Sequence, residues 1–265
     1  MAPIALFDSG LGGLTVLNAL KKALPQANYA YLGDTARTPY GTKGPETVRR
    51  YSAECTGFLN SLSPKIIVVA CNTASALALD IVRQKADCPA YGTIEAAAQE
   101  AASITKSGNI AILATRATIQ SRVFEDHLKG INSSLQTVSI QCPLFVPLVE
   151  EGITSGPILD AVLDQYLSPL LTAKVDTIIL GCTHYPLLTN SIQRYLGDRI
   201  TLVECSTALA NRIKLDLQTP LSGDGSTSYF ATDDIERFCR VAPQFIGEPI
   251  GEAQLISIER LTNNL

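Results

Sequence analysis

Two cysteines, Cys71 and Cys182, sit in matching surroundings. Each directly follows a short apolar, β-branched run, Ile66-Ile-Val-Val-Ala70 or Thr177-Ile-Ile-Leu-Gly181, and each is followed by amide or hydroxyl side chains. A thiol whose pKa is shifted modestly takes up or releases a proton near neutral pH, and it can also act as a nucleophile. Cys71 opens Asn72-Thr-Ala-Ser-Ala-Leu-Ala-Leu-Asp-Ile-Val, which has good helix propensity. Unpaired N–H groups at such a helix start lower a thiol pKa from about 8.5 and can also receive a carboxylate. A packed structural cysteine is the alternative at either position. His184, two residues past Cys182 and one of only two histidines, offers either an imidazole to take the thiol proton or a structural hydrogen bond.

Other segments supply polar groups at comparable places. Asp8-Ser-Gly-Leu-Gly-Gly13 follows an apolar run and precedes a clear helix. Its glycines could bring backbone N–H groups up to an anion, but it lacks the third glycine of a dinucleotide fingerprint and the Gly-Lys-Ser/Thr of a nucleotide loop. Asp8 there is either a helix cap or a proton relay beside the site. Gly33-Asp-Thr-Ala-Arg-Thr-Pro-Tyr-Gly41 reads as a functional loop, dense in donors and acceptors without a periodic pattern. Thr115 and Thr118 follow the apolar run that mirrors the one before Asp8. Cys142-Pro-Leu-Phe-Val-Pro-Leu-Val-Glu150-Glu151-Gly152 ends in two carboxylates, for which a solvated charge pair is the default.

The elements that must carry these residues are short apolar strands alternating with helical patterns, the signature of βα units in mainly parallel sheets. Strands are expected at 4–7, 29–32, 66–70, 90–93, 110–114, 136–140, 177–181 and 201–204. The plan repeats: Ile4–Gly10 resembles Ile110–Thr115, Ile66–Thr73 resembles Thr177–His184, and, more weakly, Tyr91–Glu95 resembles Glu204–Ala208. This predicts two pseudo-symmetric α/β domains with a ligand cleft between them, at the carboxyl ends of the strands.

Bulk properties narrow the function further. The chain has 265 residues, 46% hydrophobic and 17% charged, with net charge -4, enough to bury a full core and without a basic field for nucleic acid. Apolar runs are too short to span a bilayer, and the first residues resemble neither a signal peptide nor an anchor, so a cytoplasmic protein is expected. Seven scattered cysteines without C-x-x-C spacing argue for reduced thiols, and with two histidines they offer no zinc-ligand spacing.

Taken together, Asp8–Gly13, Gly33–Gly41, Ala70-Cys-Asn-Thr-Ala74, Cys142–Gly152 and Leu180-Gly-Cys-Thr-His-Tyr-Pro-Leu-Leu188 resemble the glutamate racemases of the aspartate/glutamate racemase superfamily. The match runs from residue 4 to about residue 210, and the C-terminal part contributes little to it. The resemblance implies racemisation of glutamate without pyridoxal phosphate or any other cofactor, D-glutamate supply to peptidoglycan, and a homodimer. It implies Cys71 and Cys182 as proton-transfer thiols, with Asp8, His184 and Glu150 assisting. Substrate contacts are implied for Ser9, Pro39, Tyr40, Gly41, Asn72, Thr73, Thr115, Thr118 and Thr183. It also implies a discontinuous first domain, residues 1–96 with 208–265, around a second domain of residues 97–207. Two departures from the family pattern are Ala-Ala-Ala after Glu95 and Arg116-Ala117 before Thr118.

Inverting an α-carbon without an electron sink means removing a weakly acidic proton from one face and delivering another to the opposite face, a task for two acid/base groups. Three other functions compete: a racemase acting on aspartate or a related acid, a DNA gyrase-binding regulator, and a thiol hydrolase using Cys182 with His184. Cys-Thr-His after the second strand favours glutamate, because relatives acting on aspartate usually carry Glu at the third position. A hydrolase leaves Cys71 and the repeat unexplained.

Overall fold

A computed structural model of the chain describes residues 2–217 and 221–262. Ten strands are present among them: β1 Ile4–Asp8, β2 Tyr29–Gly33, β3 Ile66–Val69, β4 Ala90–Gly92, β5 Asn109–Ala114, β6 Gln136–Gln141, β7 Thr177–Gly181, β8 Thr201–Glu204, β9 Thr227–Ala231 and β10 Ala253–Leu255. The helices are α1 Leu14–Ala23, α2 Pro45–Asn60, α3 Asn72–Lys85, α4 Thr93–Ile104, α5 Arg116–Ser121, α6 Val123–Ile131, α7 Phe145–Glu150, α8 Pro157–Thr172, α9 Thr189–Leu196, α10 Cys205–Asp216, α11 Ile235–Val241, α12 Pro243–Ile246 and α13 Ile258–Thr262. No helix among the described residues is long and apolar enough to cross a membrane.

The strands form two parallel sheets, ordered β10-β9-β2-β1-β3-β4 and β6-β5-β7-β8. Helices cover their faces, so β1, β3 and β7 are buried along their whole length and read as unbroken apolar runs. The stretch β2-β1-β3-β4 has the same order as β6-β5-β7-β8, which pairs β1 with β5, β3 with β7 and β4 with β8, as the repeat predicts. It adds β2 with β6, a pair without visible sequence likeness. Strands β9 and β10 extend the first sheet and were not expected. Their segments, Thr-Ser-Tyr-Phe-Ala and Ala-Gln-Leu, are short and partly exposed, so neither apolar run nor alternation marks them.

The chain passes from the first sheet to the second through α4 and returns through α10, and these two helices pack together. The boundaries expected at 96/97 and 207/208 therefore fall inside helices. One apolar cluster runs from Leu6 and Leu14 in the first half, through Ala97, Ala101, Leu209 and Ile213, to Ile112 and Ile178 in the second. Ala97 and Ala98 are fully buried, so the alanine run after Glu95 serves helix packing, and none of its three residues lines the cleft. Small side chains there let helices approach closely while keeping high helix propensity.

Candidate active site

The ends of β1, β3, β5 and β7 converge on a cavity of about 350 Å³ between the two halves. Cys71 follows β3 and caps α3; Cys182 directly follows β7. The two thiols line the same cavity, and each residue is nearly buried, 5% and 6% exposed. Their local settings differ in one respect. Cys71 sits at the start of the 14-residue α3, whereas Cys182 leads into a 3-10 turn, Tyr185–Leu188.

Each thiol has a polar neighbour. Cys71 Sγ donates to the Ser9 hydroxyl at 3.8 Å, and Cys182 Sγ lies 4.0 Å from His184 Nδ1. The other imidazole nitrogen, Nε2, is 3.2 Å from Glu150 Oε1. A carboxylate can only accept, so a neutral imidazole carries its proton on Nε2 and turns the Nδ1 lone pair toward Cys182. Glu150 is thus drawn out of the solvated pair expected for it: its carboxyl is held below its usual range by the His184 hydrogen bond, against the effect of burial. Its neighbour Glu151 is exposed.

Burial decides the state of the thiols. It pushes Cys71 up to about 12, the Asp8 carboxylate adds to the rise, and the Ala74 N–H and the Ser9 hydroxyl and N–H oppose it without prevailing. Cys182 is likewise raised well above the usual thiol range by burial, against the His184 N–H. The lowering expected at Cys71 from a helix start is therefore reversed. End-of-helix charge effects are typically worth about 0.3–1 kcal/mol, while full desolvation moves a pKa by up to roughly 3–5 units. Asp8, fully buried behind the cavity, is itself raised by burial, with His184 and the Gly10 and Gly13 N–H groups pulling down. One of its oxygens accepts from Gly10 N at 2.9 Å, and the other has no hydrogen-bond partner among the described residues.

Asn72 lines the cavity, 2% exposed, and among the described residues neither its amide oxygen nor its nitrogen has an oxygen or nitrogen partner, while the Cys205 thiol lies alongside. A buried amide left open in this way is prepared for a polar ligand. Beside it Thr73, with Thr115 and Thr118, forms a triangle of hydroxyls at 3.0–3.3 Å that joins the start of α3 to the start of α5 across the cleft. Gly41 faces them so closely that a β-carbon there would lie 2.8 Å from Thr115 Cβ.

A family model described as Asp/Glu/Hydantoin racemase matches residues 14–213. The chain belongs to the Asp/Glu/hydantoin racemase family. Among racemases of this kind, it is 44% identical to a glutamate racemase of Geobacter metallireducens, with 97% of each chain covered. Of solved racemase structures, glutamate racemase from Francisella tularensis in complex with D-glutamate is 33% identical, with 97% of each chain covered and a TM-score of 0.90. The RacE1 isoform of glutamate racemase from Bacillus anthracis is 32% identical over 97% of this chain and 98% of that one, with a TM-score of 0.89.

In this racemase-family chain, Ser9, Pro39, Gly41, Cys71, Asn72, Thr73, Thr115, Glu150, Cys182, Thr183 and His184 all line the cavity. Thr118 and Asp8 stand behind it, one within the threonine triangle and the other beneath the glycine loop. Tyr40 lines it too, but its phenol is turned inward and donates to Asp34, which also accepts from Arg37 at 2.7 Å and Thr232 at 3.0 Å. The phenol oxygen is therefore already engaged within the protein. Sequence reasoning missed Thr38, Thr42, Arg116, Pro143, Val146 and Pro147 on the cavity wall, although each adjoins a residue or segment singled out for its composition. It also missed Arg237, whose Nη2 lies 3.7 Å from Glu150 Oε2. No motif surrounds that residue.

Proposed function

We propose that this protein is a cofactor-independent glutamate racemase that moves the α-proton between opposite faces of the substrate through Cys71 and Cys182. The observation that carries this assignment is that both thiols line one cavity from equivalent strand ends of the repeated sheets. Membership in the racemase family and the names of its relatives supply the substrate class.

Burial raises both thiols above the usual range and so favours their protonated form. The ammonium group of an entering amino acid brings a positive charge into that desolvated space, which favours a thiolate beside it. The proton that this thiol gives up passes to its helper, the Asp8 carboxylate on the Cys71 side or His184 Nδ1 on the Cys182 side; the thiolate then removes the α-proton from its face, and the opposite thiol delivers its own proton to the other face. Charge developing on the substrate carboxylate is stabilised by fixed donors, for which the open Asn72 amide and the first N–H groups of α3 are placed. Asp8 assists on the Cys71 side. His184, with its Nδ1 lone pair turned to Cys182, assists on the other. The product serves peptidoglycan synthesis as a source of D-glutamate.

Incubating the purified protein with L- or D-glutamate, without added cofactor, and following optical activity tests the assignment. Each enantiomer should decay to an equal mixture while L-aspartate stays unchanged. Inert glutamate would sink the proposal, and turnover of aspartate in its place would select an aspartate racemase.

A further inference from the structure

Helices α11 and α12 follow β9 of the first sheet, yet two of their side chains reach the acid/base group beside Cys182. Arg237 on α11 approaches Glu150 Oε2 at 3.7 Å, leaving Oε1 for His184 Nε2 at 3.2 Å. Phe245 on α12 meets the same imidazole edge-on, with ring centroids 5.3 Å apart and an interplanar angle of 85°. The platform under Arg237 is well fixed. Asp234 caps α11 by accepting from the Arg237 N–H at 3.0 Å, and buried Phe238 packs against Tyr31, whose hydroxyl donates to the Gly10 carbonyl at 2.8 Å.

We infer that Arg237 is a positioning residue for the reaction: across the cleft it fixes the Glu150 carboxylate, which in turn holds the His184 imidazole with Nδ1 toward Cys182. This inference rests on the racemase reading for its reaction and on the four-residue chain of contacts for its geometry. Glu150 has its side chain 20% exposed, so without Arg237 its carboxylate is free to turn toward water and release the ring. A half-exposed ion pair of this length contributes little to stability. Loss of alignment at a proton-transfer group can cost up to roughly a hundredfold in rate. Catalysis and stability should therefore separate in a variant, which a purely structural role would not produce.

The test compares the wild type with Arg237→Ala and Arg237→Lys in two ways: glutamate kinetics, and nitrogen NMR of the imidazole rings. With two histidines in the chain, a His127→Gln variant assigns the signals. In Arg237→Ala, kcat should fall about tenfold with KM changed less than about threefold, thermal unfolding should be unmoved, and the His184 ring nitrogens should shift while those of His127 stay. Arg237→Lys should restore most of kcat. Unchanged kcat together with unchanged His184 signals overturns the role. If the wild type is inert toward glutamate, the reaction assignment fails and the ring signals alone decide the positioning claim: a shift upholds it, and no shift refutes it.

Discussion

A β-carbon on Gly12 would lie 2.5 Å from Nδ1 of His184 and closer still to the Thr183 hydroxyl. The glycine loop of the first half is thus pressed directly against the acid/base end of the second. Thr15 strengthens the same seam by donating to the Thr183 carbonyl at 3.0 Å. Glycine is needed at position 12 because Thr183 and His184 occupy the space a side chain would take.

Gly12→Ala should therefore push His184 and Thr183 out of line. Turnover should drop by about tenfold or more, with circular dichroism showing the fold intact. Wild-type kinetics in this variant would mean that the close contact has no part in catalysis.

Arg116 lines the cavity, is exposed, and has no ion-pair partner among the described residues. A free cation at the mouth attracts a substrate with two carboxylates, an effect that salt screens. Arg116→Ala should raise KM about three- to tenfold, leave kcat near the wild-type value, and flatten the dependence of kcat/KM on ionic strength. A salt dependence equal to that of the wild type would refute steering by this residue.

Asp176, just before β7, accepts from Thr105 Oγ1 at 2.7 Å, Lys106 N at 2.8 Å, Ser107 N at 2.6 Å and Thr177 Oγ1 at 2.9 Å. Burial alone would raise its carboxyl, but these bonds outweigh it and lower the group from 3.8 to about 2. A depressed carboxylate stabilises the fold above its ordinary pKa, and that contribution fades as pH falls toward the folded value. The wild type should lose thermal stability between pH 4 and pH 2 more steeply than Asp176→Asn. Parallel curves would show that the clamp carries no ionic contribution.

Much of the fold was legible because both sheets are parallel and covered on both faces. Ile66–Ala70 and Thr177–Gly181 stand out as apolar runs, and their likeness exposed the repeat that sets Cys71 and Cys182 in one cavity. The thiols' charge state was not legible. The helix start at Cys71 is local and visible in sequence, whereas the burial that reverses its effect comes from segments distant in the chain that pack around the thiol. Glu150 looked like half of a surface pair because nothing local marks His184, 34 residues away, as its partner. Arg237 and Phe245 were invisible for the same reason, in a C-terminal segment whose short, mixed elements carry no motif. The inward turn of Tyr40 depends on Asp34, Arg37 and Thr232 meeting in three dimensions.

The central claim is that two thiols act on opposite faces, and isotope placement in heavy water tests it most directly. Starting from either enantiomer of glutamate, α-deuterium should appear early in the product enantiomer and be absent from recovered substrate, because the donating thiol is not the one that removed the proton. Cys71→Ser and Cys182→Ser should each abolish racemisation. Deuterium entering substrate and product equally from the outset, or near-normal turnover in either variant, would contradict the two-thiol mechanism.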